Sequence, residues 1–211
     1  MRTFYIDNAN RQYHQNLLQD MFRQRKELFV DRMGWTNLSV VDGGERDEAD
    51  DDPNVTYIVT VGHTNQLIGS CRLTPTIGKC LLAGPLSAYL ETQLERRAAT
   101  WELTRLAPAS DPSDTRHGIS FAHLAVGGLE WGFENGVDKV YGIAEPQLVA
   151  IAGGLGWRIK IEGPPVEYEP GKSAFAFSFP VDEATLHTTK AAFNLHHRVL
   201  SDPFLKREVA A

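Results

Sequence analysis

The chain has 211 residues, of which 42% are hydrophobic and 23% charged, and its formal net charge is −6. This length predicts one domain with a substantial core, and the excess of acid argues against broad nucleic-acid binding. Met1 to Asn10 show no signal-peptide pattern and no apolar run approaches the ~20 residues of a membrane span, so we expect a cytoplasmic protein without a membrane partner.

Helix and strand patterns alternate along the chain. The first half is predicted to form a strand over 2–6, a helix over 15–29, an irregular acidic segment over 34–52, a hairpin of strands over 55–61 and 67–74, a helix over 85–97 and a strand over 101–107. The second half is predicted to form a helix over 119–136, a strand over 137–143, a helix over 147–155, strands over 157–161 and 173–179, and a helix over 183–199. This order predicts a single α/β domain with a mixed sheet flanked by helices.

Arg25 is predicted to lie on the apolar face of the first helix. The residues that share this face at helical spacing are Leu18, Met21, Phe22 and Phe29. A guanidinium in that position needs carboxylate partners. The run DGGERDEADDD, from Asp42 to Asp52, follows directly and holds seven acids against one arginine. An isolated acidic run is more often a solvated loop, but its place between two arginine-bearing elements favours partners for Arg25.

Two more arginines lie on predicted strands. Alternation puts Arg72 on the face opposite Cys71, where it would serve a site or point to solvent. Glu102 and Arg105 are three residues apart in TWELTRL, so a regular strand would direct them to opposite faces. If both serve one site, a β-bulge must lie between them; the alternative is a cross-strand salt bridge.

These segments carry a family resemblance. In order and spacing, RQRKELFVDRMGW, ERDEAD, GSCRLTPT and WELTRL resemble the acyl-homoserine-lactone synthases, the autoinducer synthases of bacterial quorum sensing. The resemblance is good over residues 21–107 and loose elsewhere. The positions that carry it are Arg25, Phe29, Trp35, Asp47, Asp50, Arg72, Glu102 and Arg105. It implies an acetyltransferase-like (GNAT-type) fold, in which residues 1–52 bind S-adenosylmethionine and residues 53–211 form the acyltransferase-like core.

The resemblance also implies a two-step reaction. The amine of S-adenosylmethionine attacks an acyl thioester, and the methionine carboxylate then closes the lactone and releases methylthioadenosine. Glu102 resembles the base that takes the amine proton, directly or through water. The other seven positions would bind S-adenosylmethionine, with Phe29 and Trp35 offering aromatic surface to its adenosyl or sulfonium group. S-adenosylmethionine is a substrate here, and no resident cofactor or metal is expected.

The acyl donor is left open between acyl carrier protein, which we favour, and acyl-coenzyme A. Synthases that use the acidic carrier often place basic residues on the helix after the central strand, whereas PQLVAIAGGLGW has none. Alternative docking candidates are Arg96, Arg97, Lys139 and Arg158. Other departures are Ala49 in place of an aromatic, Leu106 in place of a phenylalanine, and Ala144 in place of the threonine of many 3-oxo producers. Ala144 favours an unsubstituted acyl chain.

Two other classes of protein remain as alternatives. An acetyl-coenzyme A-dependent N-acetyltransferase would want a glycine-rich phosphate-binding turn, and ASDPSDTRHGIS offers only Arg116 and Gly118. A non-catalytic protein on the same scaffold would not need Glu102. The scattered histidines His117, His123, His196 and His197 are expected to be surface or capping residues, and Cys71 and Cys80 to be reduced.

Overall fold

A computed structural model describes residues 1–109 and 116–204 of the chain. Its strands are β1 (Arg2–Ile6), β2 (Val40–Val41), β3 (Gly44–Glu45), β4 (Thr56–Val61), β5 (Leu67–Pro75), β6 (Thr100–Ala107), β7 (Lys139–Ala144), β8 (Lys160–Ile161), β9 (Val166–Glu169) and β10 (Lys172–Pro180). Its α-helices are α1 (Gln15–Arg25), α2 (Arg116–Glu134), α3 (Pro146–Gly154) and α4 (Glu183–Ala192). In these ranges no helix is both long and apolar enough to cross a membrane.

One mixed sheet organises the described chain. Its strand order is β1-β4-β5-β6-β7-β10-β8, with β9 paired to β10 and a separate small hairpin formed by β2 and β3. The pairing of β6 with β7 is parallel and the other pairings in this sheet are antiparallel. The predicted mixed α/β sheet is therefore confirmed, as are its hairpin and its central strands.

Side chains along β5 alternate between the hydrophobic core on one face of the sheet and the predicted site on the other. Cys71 and Leu73 belong to the main hydrophobic cluster, which also includes Leu124 and Trp131 of α2. A second cluster joins α1 to β1 and β4 on the other side of these strands. Because Arg72 lies between Cys71 and Leu73, it faces away from α2 and toward α1, so α1 and the acidic segment cover the polar face of the central strands.

The predicted helix over 85–97 is wrong. This region forms one short 3₁₀ turn, Ser87–Tyr89, which follows another at Leu81–Ala83, and then irregular chain. Its apolar residues pack against β7 and β10 in a third cluster. Long-range main-chain bonds hold this path: Glu91 N donates to Glu162 O at 2.8 Å. The helix-like spacing of its leucines thus reflects burial without a helix.

Other boundaries also differ from the predictions. The first helix continues as a π-helix over Lys26–Arg32, beyond the predicted end at residue 29. The last helix ends at Ala192 because Asn194 adopts a left-handed φ of 55°, so the chain leaves the helix well before residue 199. The predicted strand over 157–161 is only Lys160–Ile161, and the segment 34–52 contains the β2–β3 hairpin and a 3₁₀ turn, Glu48–Asp51.

Candidate active site

Arg25 finds the carboxylate partners that its position demands. Its Nε donates to Glu45 Oε2 at 2.6 Å, and its two terminal nitrogens donate to Asp50 at 2.8 and 2.9 Å. Burial alone would raise the pKa of Asp50, but the hydrogen bonds and charge of Arg25 and Arg72 hold it well below its usual range. All three side chains of this Arg25 cluster are fully buried, so they pair with one another and not with solvent.

Arg72 joins the sheet to the acidic segment. It binds Asp47 through two nitrogens, at 2.5 and 3.0 Å, and its Nη1 lies 3.0 Å from Asp50 Oδ2. Its Nε donates to Thr104 Oγ1 on the neighbouring strand at 2.9 Å. A guanidinium with this many fixed acceptors is held in one orientation.

The predicted bulge is present at Arg105. On β5, Ser70 pairs with Ala107 and Arg72 pairs with Thr104, so β6 carries one extra residue between these pairs. Arg105 has a left-handed φ of 50°, which is uncommon for a residue other than glycine. This turn of the backbone directs its guanidinium to Glu45 Oε1 and Asp47 Oδ2, each 2.9 Å away. Arg105 therefore reaches the same charged group as Arg72.

Local structure fixes the acidic segment in place. Asp47 caps the 3₁₀ turn by accepting from Ala49 N at 2.9 Å, while Asp47 N donates to Asp50 Oδ2 at 2.9 Å. Tyr57 adds a hydrogen bond from its hydroxyl to Asp50 Oδ1 at 2.9 Å. The acidic segment is thus a capped turn whose acids pair with arginines, as its position in the sequence favoured, and is not a solvated loop.

Glu45 is the network member that the sequence prediction missed. It is fully buried and accepts from both Arg25 and Arg105. The prediction paired three arginines with only two aspartates, and this imbalance was the available signal for a third acid. We call the set Arg25, Arg72, Arg105, Glu45, Asp47 and Asp50 the acid–arginine network.

The network is open to solvent at one edge only. The Arg72 side chain is 0% exposed, whereas those of Arg105 and Asp47 are 9% and 19% exposed. Next to this edge, the rings of Phe29 and Trp35 stack with centroids 5.1 Å apart, and the Arg105 guanidinium lies 6.0 Å from the Phe29 ring. A charged ligand with an aromatic part could therefore meet charge and ring surface together here.

Glu102 lies on the same sheet face as this network. It pairs with Thr74 on β5, two residues from the Arg72–Thr104 pair, so its side chain projects to the side of Arg72. Its carboxylate is buried and accepts from Leu81 N at 2.8 Å and Leu82 N at 2.7 Å. Burial raises the pKa of Glu102 above its ordinary value, against the lowering effect of the two amides. A raised pKa suits a carboxylate that exchanges protons.

The sheet divides just beyond Glu102. Parallel pairing of β6 with β7 ends at Leu103 and Gly142. Beyond that point, β6 continues to pair with β5 as far as Ala107, and β7 with β10 as far as Ala144. Because β6 and β7 no longer pair beyond this point, their facing backbone edges could bind an extended ligand beside the Glu102 carboxylate.

The four basic residues proposed for carrier docking are not together in one unpaired patch. Arg97 lies in ion pairs with Glu95 and Asp138, and Lys139 also pairs with Glu95. The other two candidates have their own contacts. Arg158 pairs with Asp182, and Arg96 donates to the carbonyls of Ile77 and Gly78.

The remaining predicted features play no part in the site. Cys71 and Cys80 are both buried and unbridged, and burial raises the pKa of their thiols to about 12 and about 11. Over residues 1–109 and 116–204, no three His, Cys, Asp or Glu side chains are arranged to hold a metal ion. Of the stretch compared with a phosphate-binding turn, residues 110–115 lie outside the described residues.

Comparison with known proteins identifies the family. The family model described as autoinducer synthase matches residues 8–189. The chain is 30% identical to an acyl-homoserine-lactone synthase of Rhizobium etli over 141 residues, a span of 66% of each chain. Its fold is similar to that of the CoA-dependent acyl-homoserine lactone synthase BjaI, solved with SAM and isopentyl-CoA, at a TM-score of 0.85 and 20% identity over 95% of this chain and 92% of that one.

A less similar solved structure tests the predicted acetyltransferase-like fold. The fold is also similar to an acyl-CoA N-acyltransferase from Pseudomonas aeruginosa, at a TM-score of 0.55 and 16% identity over 84% of this chain and 99% of that one. The predicted acetyltransferase-like fold is therefore confirmed. With the family model matching most of its length, the chain belongs to the autoinducer synthase family, the acyl-homoserine-lactone synthases.

Proposed function

We propose that this protein makes an N-acyl-homoserine lactone from S-adenosylmethionine and an acyl thioester. The observation that carries the proposal is the placement of Glu102 and the acid–arginine network on one face of the sheet, next to the division of β6 from β7. The site thus offers a proton acceptor, a ligand edge of matched charge and a separation of two central strands.

In the first step, the amine of S-adenosylmethionine attacks the thioester carbonyl. A carbon–nitrogen bond forms and the carbon–sulfur bond breaks, so the donor leaves as a thiolate. The amine loses a proton, which finally protonates the thiolate or passes to solvent. Glu102 takes that proton through a water molecule, because its side chain is too buried to meet the amine directly. The raised pKa of Glu102 supports this role, because a more basic carboxylate holds an accepted proton more readily.

In the second step, the methionine carboxylate attacks the carbon next to the sulfonium. A carbon–oxygen bond closes the five-membered lactone, and the carbon–sulfonium bond breaks to release methylthioadenosine. This step is intramolecular, so the protein contributes mainly by holding the methionyl group folded. Asp47 and Arg105, the exposed pair of the network, bind the amine and carboxylate, and Trp35 and Phe29 carry the adenosyl and sulfonium part.

The six network residues divide this work. Arg25, Asp50 and Arg72 are fully buried and already satisfied, so they hold residues 1–52 against the core as the S-adenosylmethionine-binding segment. Of the six network residues, only Asp47 and Arg105 contact the ligand. S-adenosylmethionine is consumed as a substrate, and the proposed reaction needs no resident cofactor.

For the acyl donor, we now favour acyl-coenzyme A, in place of the acyl carrier protein that we favoured from the sequence. Arg97, Lys139 and Arg158 are each paired with an acid, so this surface offers little net positive charge to an acidic carrier. The similarity to a CoA-dependent synthase supports the same donor. Ala144, at the end of β7, offers no hydrogen-bond donor to a 3-oxo group, which supports an unsubstituted chain.

Purified protein with S-adenosylmethionine and a panel of acyl-coenzyme A and acyl-carrier thioesters tests the proposal by mass spectrometry. We expect lactone and methylthioadenosine in equal amounts, and faster turnover with the coenzyme A thioesters. Release of thiol without methylthioadenosine would instead indicate a plain N-acyltransferase. The proposed location is the cytoplasm, which fractionation of expressing cells tests.

Two variants assign the base. Glu102→Gln should lower kcat by roughly 100-fold or more, because its neutral amide cannot take the proton. Glu130→Gln is the matched control, since Glu130 is equally buried but lies in α2 on the other side of the sheet. Full activity of Glu102→Gln would remove Glu102 as the base.

A further inference from the structure

Asp52 is the last acid of the acidic run and is not part of the acid–arginine network. Its side chain is buried, and it follows directly on the 3₁₀ turn that carries Asp50. Its Oδ1 accepts from Asn54 N at 2.8 Å, and its Oδ2 accepts from Lys79 N at 2.7 Å. The second contact crosses from the S-adenosylmethionine-binding segment to the loop after β5.

That loop holds Glu102. Shortly after Lys79, the amides of Leu81 and Leu82 donate to the two carboxylate oxygens of Glu102, at 2.8 and 2.7 Å. Gly78 fits tightly at the crossing, because a Cβ added there would lie 2.2 Å from Asp52 Oδ2. One short stretch, residues 78–82, therefore binds a carboxylate of the acidic segment at one end and the proposed base at the other.

We infer that Asp52 is a positioning residue that couples the S-adenosylmethionine-binding segment to Glu102 through residues 78–82. It touches neither substrate nor reacting atoms. It fixes Lys79, and thereby the two amides that orient the Glu102 carboxylate and favour its ionised form. The inference rests on the proposed function, since Glu102 must act as a base for its orientation to affect turnover.

The sign of the effect on pH dependence separates positioning from simple charge. The charged groups that face Glu102 are Arg72 of β5 and Asp47 of the acidic segment, and the titratable Cys80 thiol is adjacent. If loss of Asp52 loosens the two amides, Glu102 loses donors that lower its pKa, and the acid limb of the kcat profile moves to higher pH. Removal of a nearby negative charge alone would move the limb to lower pH.

Asp52→Asn is the first variant, and Asp51→Asn is its matched control. The Asp51 side chain is 64% exposed and pairs with Arg46, so its loss leaves residues 78–82 in place. We expect Asp52→Asn to lower kcat roughly tenfold, with KM for S-adenosylmethionine little changed and the acid limb at higher pH. Asp51→Asn should match the wild type in all three.

Gly78→Ala tests the same contact from the other side and serves if Asp52→Asn does not fold. Gly78 does not adopt a left-handed φ, so the added methyl group mainly displaces Asp52 from Lys79 N while the carboxylate charge remains. The acid limb should again move to higher pH. An unmoved limb, or a limb that moves to lower pH in Asp52→Asn, would overturn the inference. Absence of lactone with the wild-type protein would instead reject the proposed function.

Discussion

Buried carboxylates occur in two very different settings in this molecule. In the acid–arginine network, three carboxylates meet three guanidinium groups and the cluster reaches solvent at Asp47 and Arg105. In α2, Glu130 accepts from Val199 N and Leu200 N and pairs with Lys190, which ties the end of the described chain to the helix. We call this second set the C-terminal clamp.

The difference teaches how to separate a structural charge from a functional one. Glu130 accepts mostly from main-chain amides, and its ion-pair partner Lys190 has a side chain that is 20% exposed. The network contains more charge than is needed to attach one segment, and its outer members are partly exposed beside stacked aromatic rings. Burial of charge alone therefore does not mark a site, whereas several paired charges that reach solvent beside stacked aromatic rings indicate one.

Replacing Arg25 should have the largest effect. Arg25→Ala leaves Glu45 and Asp50 buried without their main partner, so we expect the free energy of unfolding to fall by about 3–5 kcal/mol. S-adenosylmethionine binding should be lost as well, because residues 1–52 lose their attachment. Urea unfolding and calorimetric titration measure the two effects. Normal binding by a folded Arg25→Ala protein would contradict the structural role of the network.

Acid should destabilise the acid–arginine network. The pKa values of Asp50 and Asp47 are held below their usual range, so their contribution to stability is complete above the unfolded-state pKa of about 3.9 and declines as pH falls below it. We expect a loss on the order of 2 kcal/mol between pH 5 and pH 2. Urea unfolding across this range measures it, and Asp50→Asn should reduce the slope.

Breaking the clamp should cost stability and leave the chemistry unchanged. Glu130→Gln presents an amide nitrogen toward main-chain donors and loses the Lys190 charge pair, which should lower the unfolding free energy by about 1–2 kcal/mol. Lactone formation below the unfolding temperature should keep the wild-type kcat and KM. A large loss of kcat in the folded variant would erase the distinction drawn between the two settings.

An exposed ion pair should matter least. Arg46 and Asp51 pair at 2.9 Å beside the network, but their side chains are 39% and 64% exposed. Arg46→Ala should change the unfolding free energy by less than about 0.5 kcal/mol and leave S-adenosylmethionine binding intact. Both arginines belong to the same N-terminal segment, so the loss of unfolding free energy in Arg46→Ala is the reference with which the loss in Arg25→Ala is compared.

Much of the site followed from local pattern. The apolar spacing around Arg25 required partners, and the three-residue spacing of Glu102 and Arg105 required a bulge if both residues serve one site; both features are present in the structure. These predictions succeeded because a buried charge and a strand face are constrained by physics at short range.

The parts that could not be predicted depend on distant contacts. The spacing of leucines over residues 85–97 is that of a helix. However, the Glu102 carboxylate accepts from the amides of Leu81 and Leu82 just before this segment, and the Glu162 carbonyl accepts from the amide of Glu91 within it. Those bonds hold the chain in turns, and local propensity does not reveal them. The role of Glu45 depends likewise on the bulge geometry of Arg105, sixty residues away in the chain.

The sequence separations within the network also constrain synthesis of the chain on the ribosome. Glu45 and Asp47 obtain their contacts with Arg105 only after β6 has been made, and Asp47 waits for Arg72 of β5. Until then, the N-terminal segment emerges with its acids and Arg25 in water, where each is well solvated. The binding edge for S-adenosylmethionine is therefore assembled late, when the central strands pair, and a chain truncated before residue 105 would lack it.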